Sequence, residues 1–261
     1  MDCTVLTIDP GILNLSACIM TCTDKKNLET YNIELWNVYD VIDAENYNCE
    51  GLQKSGKICG KKCGYKYKSD DLKIFIYCCK SHFPKNIKIE KCNIFKKKLI
   101  STYLLHDIAK SIITKIQELY NDNKENFQKV NHVIIELQPG FNKKMVFVSH
   151  IIYGKLTELY RDTNTTIKFV RASQKLRAYT GEPIECKLKG AYPRRKFLSV
   201  KYGYWFLENK FNQEQRELWK PILDDKKVKA DDKTDVFLMA INSLFGINKK
   251  QLTNFKNDNM N

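Results

Sequence analysis

The sequence has little histidine and no long apolar run, and both scarcities narrow the functions open to it. Only four of the 261 residues are histidine. None lies in the acidic motifs considered below, so a histidine general base or a Ser–His nucleophile pair lacks support. No stretch of about 18 apolar residues occurs, which argues against a membrane span. A basic segment followed by an apolar one is also missing at the start, so we expect no secretory signal and an intracellular location.

Acidic residues are outnumbered by basic ones, and the imbalance favours a polyanionic partner. The chain has 44 Lys and Arg against 30 Asp and Glu, which gives a formal net charge of +14. Such a surplus is typical of proteins that bind nucleic acid. A Lys- and Asn-rich protein without such a partner is the alternative. Hydrophobic residues make up 43% of the chain, which is enough for a real core.

Apolar patterns predict an α/β fold, with a mixed five-stranded sheet flanked by helices. Three strands in succession are followed by a helix, a strand, a helix, a short strand and further helices. The predicted strands cover residues 3–8, 13–20, 32–39, 130–137 and 166–170. The predicted helices cover residues 95–120, 141–160, 172–179, 194–208 and 232–245, the last two being the final helices.

Four acidic residues lie at the ends of these predicted elements. Asp9 and Glu136 each end an apolar strand, and Asp232 and Asp235 open the last predicted helix. Carboxylates at two strand ends and one helix start can meet at one point, where they can hold one or two Mg²⁺ ions. Each acid could instead be a helix cap or a solvated charge. Asp231 competes with Asp232, although the i, i+3 spacing favours the pair formed by Asp232 and Asp235.

The order and placement of these motifs resemble the ribonuclease H-like fold and, within it, the RuvC-type Holliday junction resolvases. The likeness is to the branch found in poxviruses and other large DNA viruses, together with the fungal mitochondrial resolvases. The matching motifs are Ile8-Asp9-Pro10-Gly11, Ile135-Glu136-Leu137-Gln138, Ala172-Ser173-Gln174-Lys175-Leu176, Arg194-Arg195-Lys196 and Lys229-Ala230-Asp231-Asp232-Lys233-Thr234-Asp235. The resemblance covers residues 1–40 and 95–247.

This resemblance implies a structure-selective endonuclease that resolves four-way DNA junctions in viral recombination or concatemer processing. It implies that the catalytic ligands of two Mg²⁺ ions, for which Mn²⁺ can substitute, are Asp9, Glu136, Asp232 and Asp235. Hydrolysis would give 5′-phosphate products. A homodimer would match the two-fold symmetry of a junction, and the location would be a viral factory or host cytoplasm.

Two other functions remain open from the sequence. One is a different ribonuclease H-like nuclease, which cuts RNA–DNA hybrids or flaps. The other is a basic zinc protein that binds nucleic acid without catalysis, with its carboxylates serving structure alone. The complete set of carboxylates argues against the second of these.

Basic residues near the acidic motifs are expected on the rim of the site, where they would bind phosphate without reading base sequence. The predicted DNA-binding residues, which include one glutamine, are Gln138, Lys143, Lys144, Lys175, Arg177, Arg194, Arg195, Lys196 and Lys229. Lys233 lies between the two acids of the last helix and is at least as readily explained as an exposed lysine.

Residues 45–94 differ from the rest and predict an insertion within a nuclease domain formed by 1–44 and 95–250. Residues 251–261 are expected to form a disordered tail. The insertion holds six of the ten cysteines, and cysteines in an intracellular chain favour metal binding or burial over disulfides. A structural Zn²⁺ site is predicted there, with a loop of free thiols as the alternative. The predicted ligands are Cys59, Cys63, Cys79 and His82, with Cys49, Cys78 and Cys92 as alternates.

Overall fold

The computed structural model describes residues 2–42, 48–61, 63–68, 75–85, 93–94, 103–225 and 228–245. The chain divides into two compact units, the first formed by 1–42 with 105–261 and the second by 43–104. Among the described residues, no helix combines the length and apolar character that crossing a bilayer requires. The predicted tail, 251–261, and the alternate zinc ligand Cys92 lie outside the described residues.

A mixed five-stranded sheet forms the centre of the first unit. Its strands in chain order are β1 (Cys3–Asp9), β2 (Asn14–Cys22), β3 (Tyr31–Asp40), β4 (His132–Leu137) and β5 (Thr166–Arg171). They lie side by side in the order β3-β2-β1-β4-β5. The first three are antiparallel, whereas β1, β4 and β5 run parallel. The predicted mixed five-stranded α/β sheet is confirmed.

Six α-helices occur in the described residues, and all belong to the first unit. They are α1 (Leu105–Asp122), α2 (Lys124–Gln128), α3 (Lys143–Leu159), α4 (Ala191–Lys210), α5 (Gln213–Asp224) and α6 (Ala230–Phe245). The predicted short helix at 172–179 is a 3-10 helix, Ala172–Ala178.

Two helical predictions are corrected by the structure. The helix expected from residue 95 begins at Leu105, so Tyr103 and Leu104 precede it, and 95–102 lie outside the described residues. Helix α5, between the two helices that were expected to be final, was not predicted. Only Trp219 and Leu223 of α5 are buried, and the sequence pattern is interrupted by Pro221. The few apolar residues of α5 do recur at helical spacing, but Pro221 lies among them, and a proline is unfavourable in a helix interior.

Helices cover both faces of the sheet, because successive side chains along a strand point to opposite faces. Ile134 of β4 belongs to the same buried cluster as Phe237 of α6. The next residue, Ile135, pairs in register with Phe169, whose ring stacks on that of Tyr153 in α3 at a centroid distance of 5.4 Å. Helix α6 and helix α3 therefore lie on opposite faces of the sheet.

Buried hydrogen bonds join α6 to the sheet near the start of the helix. The indole Nε1 of Trp36 on β3 donates to the carbonyl oxygen of Lys233 at 2.8 Å. The hydroxyl of Thr7 on β1 donates to the carbonyl oxygen of Val236 at 2.8 Å. The Trp36 ring also stacks on Phe237 at a centroid distance of 4.5 Å. These contacts fix the position and rotation of the first turns of α6 over β1.

Lys233 is a structural residue rather than an exposed lysine. It is 2% exposed, and its ammonium donates to the carbonyl oxygens of Ile222 and Asp225 at the end of α5. The C=O groups at the end of a helix need donors from outside the helix, and the Lys233 ammonium is such a donor at the end of α5. Lys233 therefore joins α5 to α6, and the alternative of a solvated lysine is wrong.

The second unit consists of a hairpin and a small sheet. Residues 49–53 and 57–61 are hydrogen-bonded to each other, and Leu52 and Ile58 form a bridge between the two arms. A three-stranded sheet has Tyr65–Lys68 in the middle, between Phe75–Cys78 and Asn93–Ile94. The buried cluster of the described part consists of Cys49, Cys78 and Cys79, with aromatic rings packed around it. Thiols therefore occupy the place where a core would have aliphatic side chains.

Candidate functional site

Asp9 and Glu136 end two parallel strands that lie side by side. Ile8 of β1 pairs with Ile135 of β4, so the acid after each isoleucine comes at the same level of the sheet. Asp9 points to the α6 face, because Thr7, two residues earlier, is bonded to α6. Glu136 points there as well, since its neighbour Ile135 faces α3. Strand register and alternation thus place both carboxylates together.

Asp235 reaches the same point from α6. One carboxylate oxygen from each of Asp9, Glu136 and Asp235 lies within 4.8 Å of the others; we call these three residues the carboxylate cluster. Ser199 of α4 is fully buried and donates a hydrogen bond to Asp235. Ser199 therefore orients the Asp235 carboxylate. It was absent from the sequence prediction, because a single serine in a helix carries no signal of such a role.

The fourth predicted ligand, Asp232, lies one helical turn before Asp235 and outside the carboxylate cluster. Its charge still contributes to raising the pKa of Asp9, so the two carboxylates are within electrostatic reach. Asp231 instead pairs with Lys196. The preference for Asp232 over Asp231 as a metal ligand stays a prediction, and the ion pair made by Asp231 favours it.

A buried lysine ammonium lies among these carboxylates. Lys175, in the 3-10 helix Ala172–Ala178, is 3% exposed. Its Nζ donates to Glu136 Oε2 at 3.1 Å and also to Asp235 Oδ2. Removing an ammonium from water is costly, and the two carboxylates offset that cost. The prediction that Lys175 lies on a DNA-binding rim is therefore wrong, since its charge is used inside the carboxylate cluster.

The pKa values of the cluster follow from burial and from the crowding of like charges. Burial, reinforced by the charge of Glu136, raises the pKa of Asp9 well above its ordinary value of 3.8, although Lys175 lowers it. Burial likewise raises the pKa of Glu136 against the opposing effect of Lys175. Burial lowers the pKa of Lys175, but Glu136 and Asp235 more than offset this and raise it above 10.5. Lys175 therefore stays protonated and charged, whereas the raised pKa values of Asp9 and Glu136 favour their protonated, neutral forms.

Three other predicted DNA-binding residues lie within electrostatic reach of the acids. Burial raises the pKa of Asp232, and the charge of Lys229 opposes that rise. Arg195 likewise opposes the rise in the pKa of Glu136 that burial causes. Lys196 is paired with Asp231, and its ammonium also lies 5.1 Å from the centre of the Tyr192 ring. Arg195 thus brings positive charge to the carboxylate cluster, and Lys229 brings it to the neighbouring Asp232.

The remaining predicted DNA-binding residues differ in exposure. Lys143 and Arg194 are exposed, whereas Lys144 and Arg177 are half-buried. Gln138 is half-buried, and its amide donates to the carbonyl oxygen of Glu136 at 3.4 Å. Contact of these residues with DNA stays a prediction.

The donor set of the carboxylate cluster fits a hard divalent cation. Mg²⁺ and Mn²⁺ take carboxylate oxygens, and three converge here. When the three carboxylates are ionised, they and the Lys175 ammonium carry a net charge of −2. That charge matches one divalent cation, and Asp232 is a further carboxylate nearby.

The second unit brings together a group of sulfur and nitrogen donors. Ligand atoms of Cys49, Cys59, Cys79 and His82 lie within 4.8 Å of one another. Three of the four predicted zinc ligands are present, but Cys49, an alternate, stands where Cys63 was expected. Burial raises the pKa of Cys79, but hydrogen bonds, among them those from the backbone amides of His82 and Ser81, outweigh it and lower that pKa to about 6. Cys79 is therefore suited to act as a thiolate ligand.

Comparisons with known proteins give one distant relative and several similar structures. No family model matches the chain. The chain is 26% identical over 236 residues to an uncharacterized protein of Acanthamoeba polyphaga mimivirus, an alignment that covers 83% of this chain and 54% of that protein. The chain thus spans about half the length of the curated relative it matches.

Two of the similar solved structures are Holliday junction resolvases. T. thermophilus RuvC in complex with Holliday junction substrate aligns with a TM-score of 0.44 and 9% identity, over 94% of both chains. The crystal structure of the yeast mitochondrial Holliday junction resolvase aligns with a TM-score of 0.44 and 12% identity, over 97% of this chain and 83% of that one. Because these sequence identities and TM-scores are low, the function proposed below rests on the geometry of the chain's own residues.

Proposed function

We propose that this protein is a metal-dependent endonuclease that cuts branched DNA, with four-way junctions as its substrate. The observation that carries this proposal is the convergence of Asp9, Glu136 and Asp235 from β1, β4 and α6. Buried acids without a function are costly to a fold, since each must be desolvated next to like charges. A carboxylate cluster in a chain with a net charge of +14 suits a phosphodiester substrate.

Mg²⁺, or Mn²⁺ in its place, would be held by the carboxylate cluster, with Asp232 as the added ligand. When bound, such cations activate water and stabilise the leaving oxygen of a phosphodiester, here with a 5′-phosphate product. Occupancy by two ions rather than one is part of the same proposal.

The chain's own residues prepare the site. Lys175 keeps Glu136 and Asp235 close together by neutralising part of their repulsion, and Ser199 holds Asp235 in one orientation. Arg195 and Lys229 add positive charge beside the acids, where a DNA phosphate would approach. Binding through such contacts is independent of base sequence and weakens steeply with salt.

Resolution of a four-way junction requires two symmetric cuts, so we include a homodimer in the proposal. A role in viral recombination or concatemer processing is also part of it. The similarity to an uncharacterized mimivirus protein supports only the viral setting of this role.

The test compares the wild-type chain with Asp9→Asn on three labelled substrates in Mg²⁺: a four-way junction, a linear duplex and an RNA–DNA hybrid. We expect paired symmetric nicks on the junction alone. The variant keeps the shape of Asp9 but loses its charge. Its cleavage should fall by about a hundredfold or more, since even the loss of a residue that only orients a ligand costs about 10- to 100-fold.

Asp40→Asn is the matched control, because Asp40 is an exposed acid at the end of β3. It should cut like the wild type, and all three proteins should bind the junction equally when Ca²⁺ replaces Mg²⁺. Equal cutting of the hybrid would show a different ribonuclease H-like nuclease. Undiminished cleavage by Asp9→Asn would refute the proposed site.

A further inference from the structure

The four donors in the second unit have the spacing of a tetrahedral metal site. The Sγ atoms of Cys59 and Cys79 are 3.8 Å apart. The Nδ1 atom of His82 lies 3.4 Å from Cys49 Sγ and 3.5 Å from Cys79 Sγ. Zn–S bonds of about 2.3 Å and Zn–N bonds of about 2.0–2.1 Å in a tetrahedron separate two sulfurs by about 3.8 Å and a sulfur from a nitrogen by about 3.6 Å. The observed separations match this geometry.

The hairpin explains why Cys49 joins the group. Its two arms are bonded at the level of the cysteines, where the amide of Cys49 donates to Lys61 O at 2.7 Å and that of Gly60 donates to Cys49 O at 3.0 Å. This pairing sets Cys49 beside Cys59, although nine residues separate them in sequence. Gly60 has a φ of +65°, in the left-handed region, so the chain can turn directly after Cys59.

The imidazole of His82 is held with the correct nitrogen toward the sulfurs. Its Nε2 lies 3.0 Å from the carbonyl oxygen of Leu52, which can only accept a hydrogen bond. Nε2 therefore carries the proton, and Nδ1 presents a lone pair to Cys49 and Cys79. A second hydrogen bond of this kind is what orients a metal-binding histidine. Gly51 makes room for the ring, because a Cβ at that position would lie 2.6 Å from His82 Cγ.

We propose that Cys49, Cys59, Cys79 and His82 bind one structural Zn²⁺ ion. Three thiolates and one imidazole are zinc ligands, and four of them close the coordination shell without leaving a position for catalysis. The role is structural because the buried cluster of this part of the chain is made of cysteines. A unit of this size with so small a core needs a metal or another cross-link to fold.

Cys63 is not a ligand in this proposal. Its charge interacts with those of Cys49, Cys59 and Cys79, but it does not belong to the converging group. Cys63 and Cys59 are both half-buried. Neither thiol is shielded by full burial, so protection of Cys59 that is lost when a chelator is added would reflect the metal.

The test uses the full-length chain, purified without chelator and dialysed. Elemental analysis should give about one zinc per chain, and zinc K-edge absorption should show three sulfurs at about 2.3 Å and one nitrogen at about 2.0–2.1 Å. Alkylation followed by mass spectrometry should label Cys63 at once and Cys59 only after a chelator is added. Cys63→Ser should retain the full equivalent of zinc, whereas Cys49→Ser should lose most of it.

Several outcomes would overturn the proposal. One is a wild-type chain that holds less than about a tenth of an equivalent of zinc, or that holds iron in its place, since structural zinc sites bind tightly at neutral pH. Another is a Cys63→Ser variant that loses zinc while Cys49→Ser keeps it. If Cys49→Ser does not fold, the alkylation of the wild-type chain and the zinc content of Cys63→Ser still decide the ligand set.

Discussion

A single buried lysine controls the electrostatics of the carboxylate cluster. Lys175 donates to both Glu136 and Asp235, so in the absence of metal the protein supplies its own cation to these acids. A divalent cation at the cluster would share those carboxylates with Lys175. The lysine therefore links the stability of the metal-free chain to the affinity for metal, because both depend on how strongly the carboxylates repel each other.

Replacing Lys175 by Met should test this link. The variant leaves Glu136 and Asp235 without their ammonium, and breaking a buried ion pair costs about 3–5 kcal/mol. We expect a loss of that order in the free energy of unfolding with EDTA present, measured by urea denaturation. The loss should be clearly smaller in excess Mg²⁺, since the metal then supplies the missing positive charge.

Lys143→Met is the control for that substitution. Lys143 is exposed at the start of α3, so its loss should change stability by less than about 0.5 kcal/mol in either buffer. An equal loss for Lys175→Met with and without Mg²⁺ would mean that the lysine serves packing alone.

At the scale of elements, the close approach of α4 to α6 positions Asp235. Gly203 of α4 is buried, and a Cβ there would lie 2.4 Å from Cγ2 of Thr234. Thr234 and Asp235 both lie within reach of the Ser199 hydroxyl. The missing side chain of Gly203 thus allows the helix contact that presents Asp235 to the cluster.

Gly203→Ala should therefore separate α4 from α6. An added methyl group in a packed interface costs about 1–3 kcal/mol, and we expect a loss of unfolding free energy in that range together with reduced cleavage. Gly154→Ala is the matched control, because Gly154 is in α3 and its added Cβ would meet no atom within 4 Å. That variant should gain about 0.5–1 kcal/mol. Similar stability of the two variants would contradict the proposed contact.

Strands and helices could be predicted where a pattern of neighbouring residues in the sequence identifies them. The strands that carry Asp9 and Glu136 are continuous apolar runs, and the structure has them within two residues of their predicted bounds. Helix α5 was not predicted, because it has few apolar residues and Pro221, which is unfavourable inside a helix, lies among them. The choice of Cys49 over Cys63 depends on the pairing of two hairpin arms, and spacing alone favoured the nearer cysteine.

The burial of Lys175 depends on tertiary structure in the same way. Its segment contains polar and basic residues in alternation with apolar ones, which is equally typical of an exposed rim. Only the meeting of β4 and α6 turns the lysine inward. The acids could be recognised because the predicted metal site requires carboxylates. A lysine that neutralises them can come from different positions along the chain, so its position could not be predicted.

At the scale of the whole molecule, the raised carboxyl pKa values make stability depend on pH. An acid whose pKa is higher in the folded state than in the unfolded state binds more protons when folded, so its contribution falls as pH rises. For Asp9 the loss begins near the ordinary value of 3.8 and is complete above its raised pKa. Lys175 stays charged throughout, because its own pKa is raised above 10.5.

We therefore expect the metal-free chain to lose stability relative to Asp9→Asn as the pH rises through this window. Urea denaturation in EDTA at a series of pH values measures the difference. Stabilisation by Mg²⁺ should change in the opposite sense and grow with pH, since the cation binds only ionised carboxylates. A difference between the two chains that does not vary with pH would contradict the raised pKa of Asp9.

The members of the carboxylate cluster are far apart in sequence, so the cluster can form only late in the synthesis and folding of the chain. Asp9 lies on the first strand, and Asp235 on the last helix that the structure describes. During synthesis the ribosome must release nearly all of this sequence before α6 can dock on β1. A nascent or C-terminally truncated chain without α6 lacks Asp235 and therefore the complete carboxylate cluster. If the protein cuts DNA as proposed, only a chain whose α6 has docked on the sheet can do so.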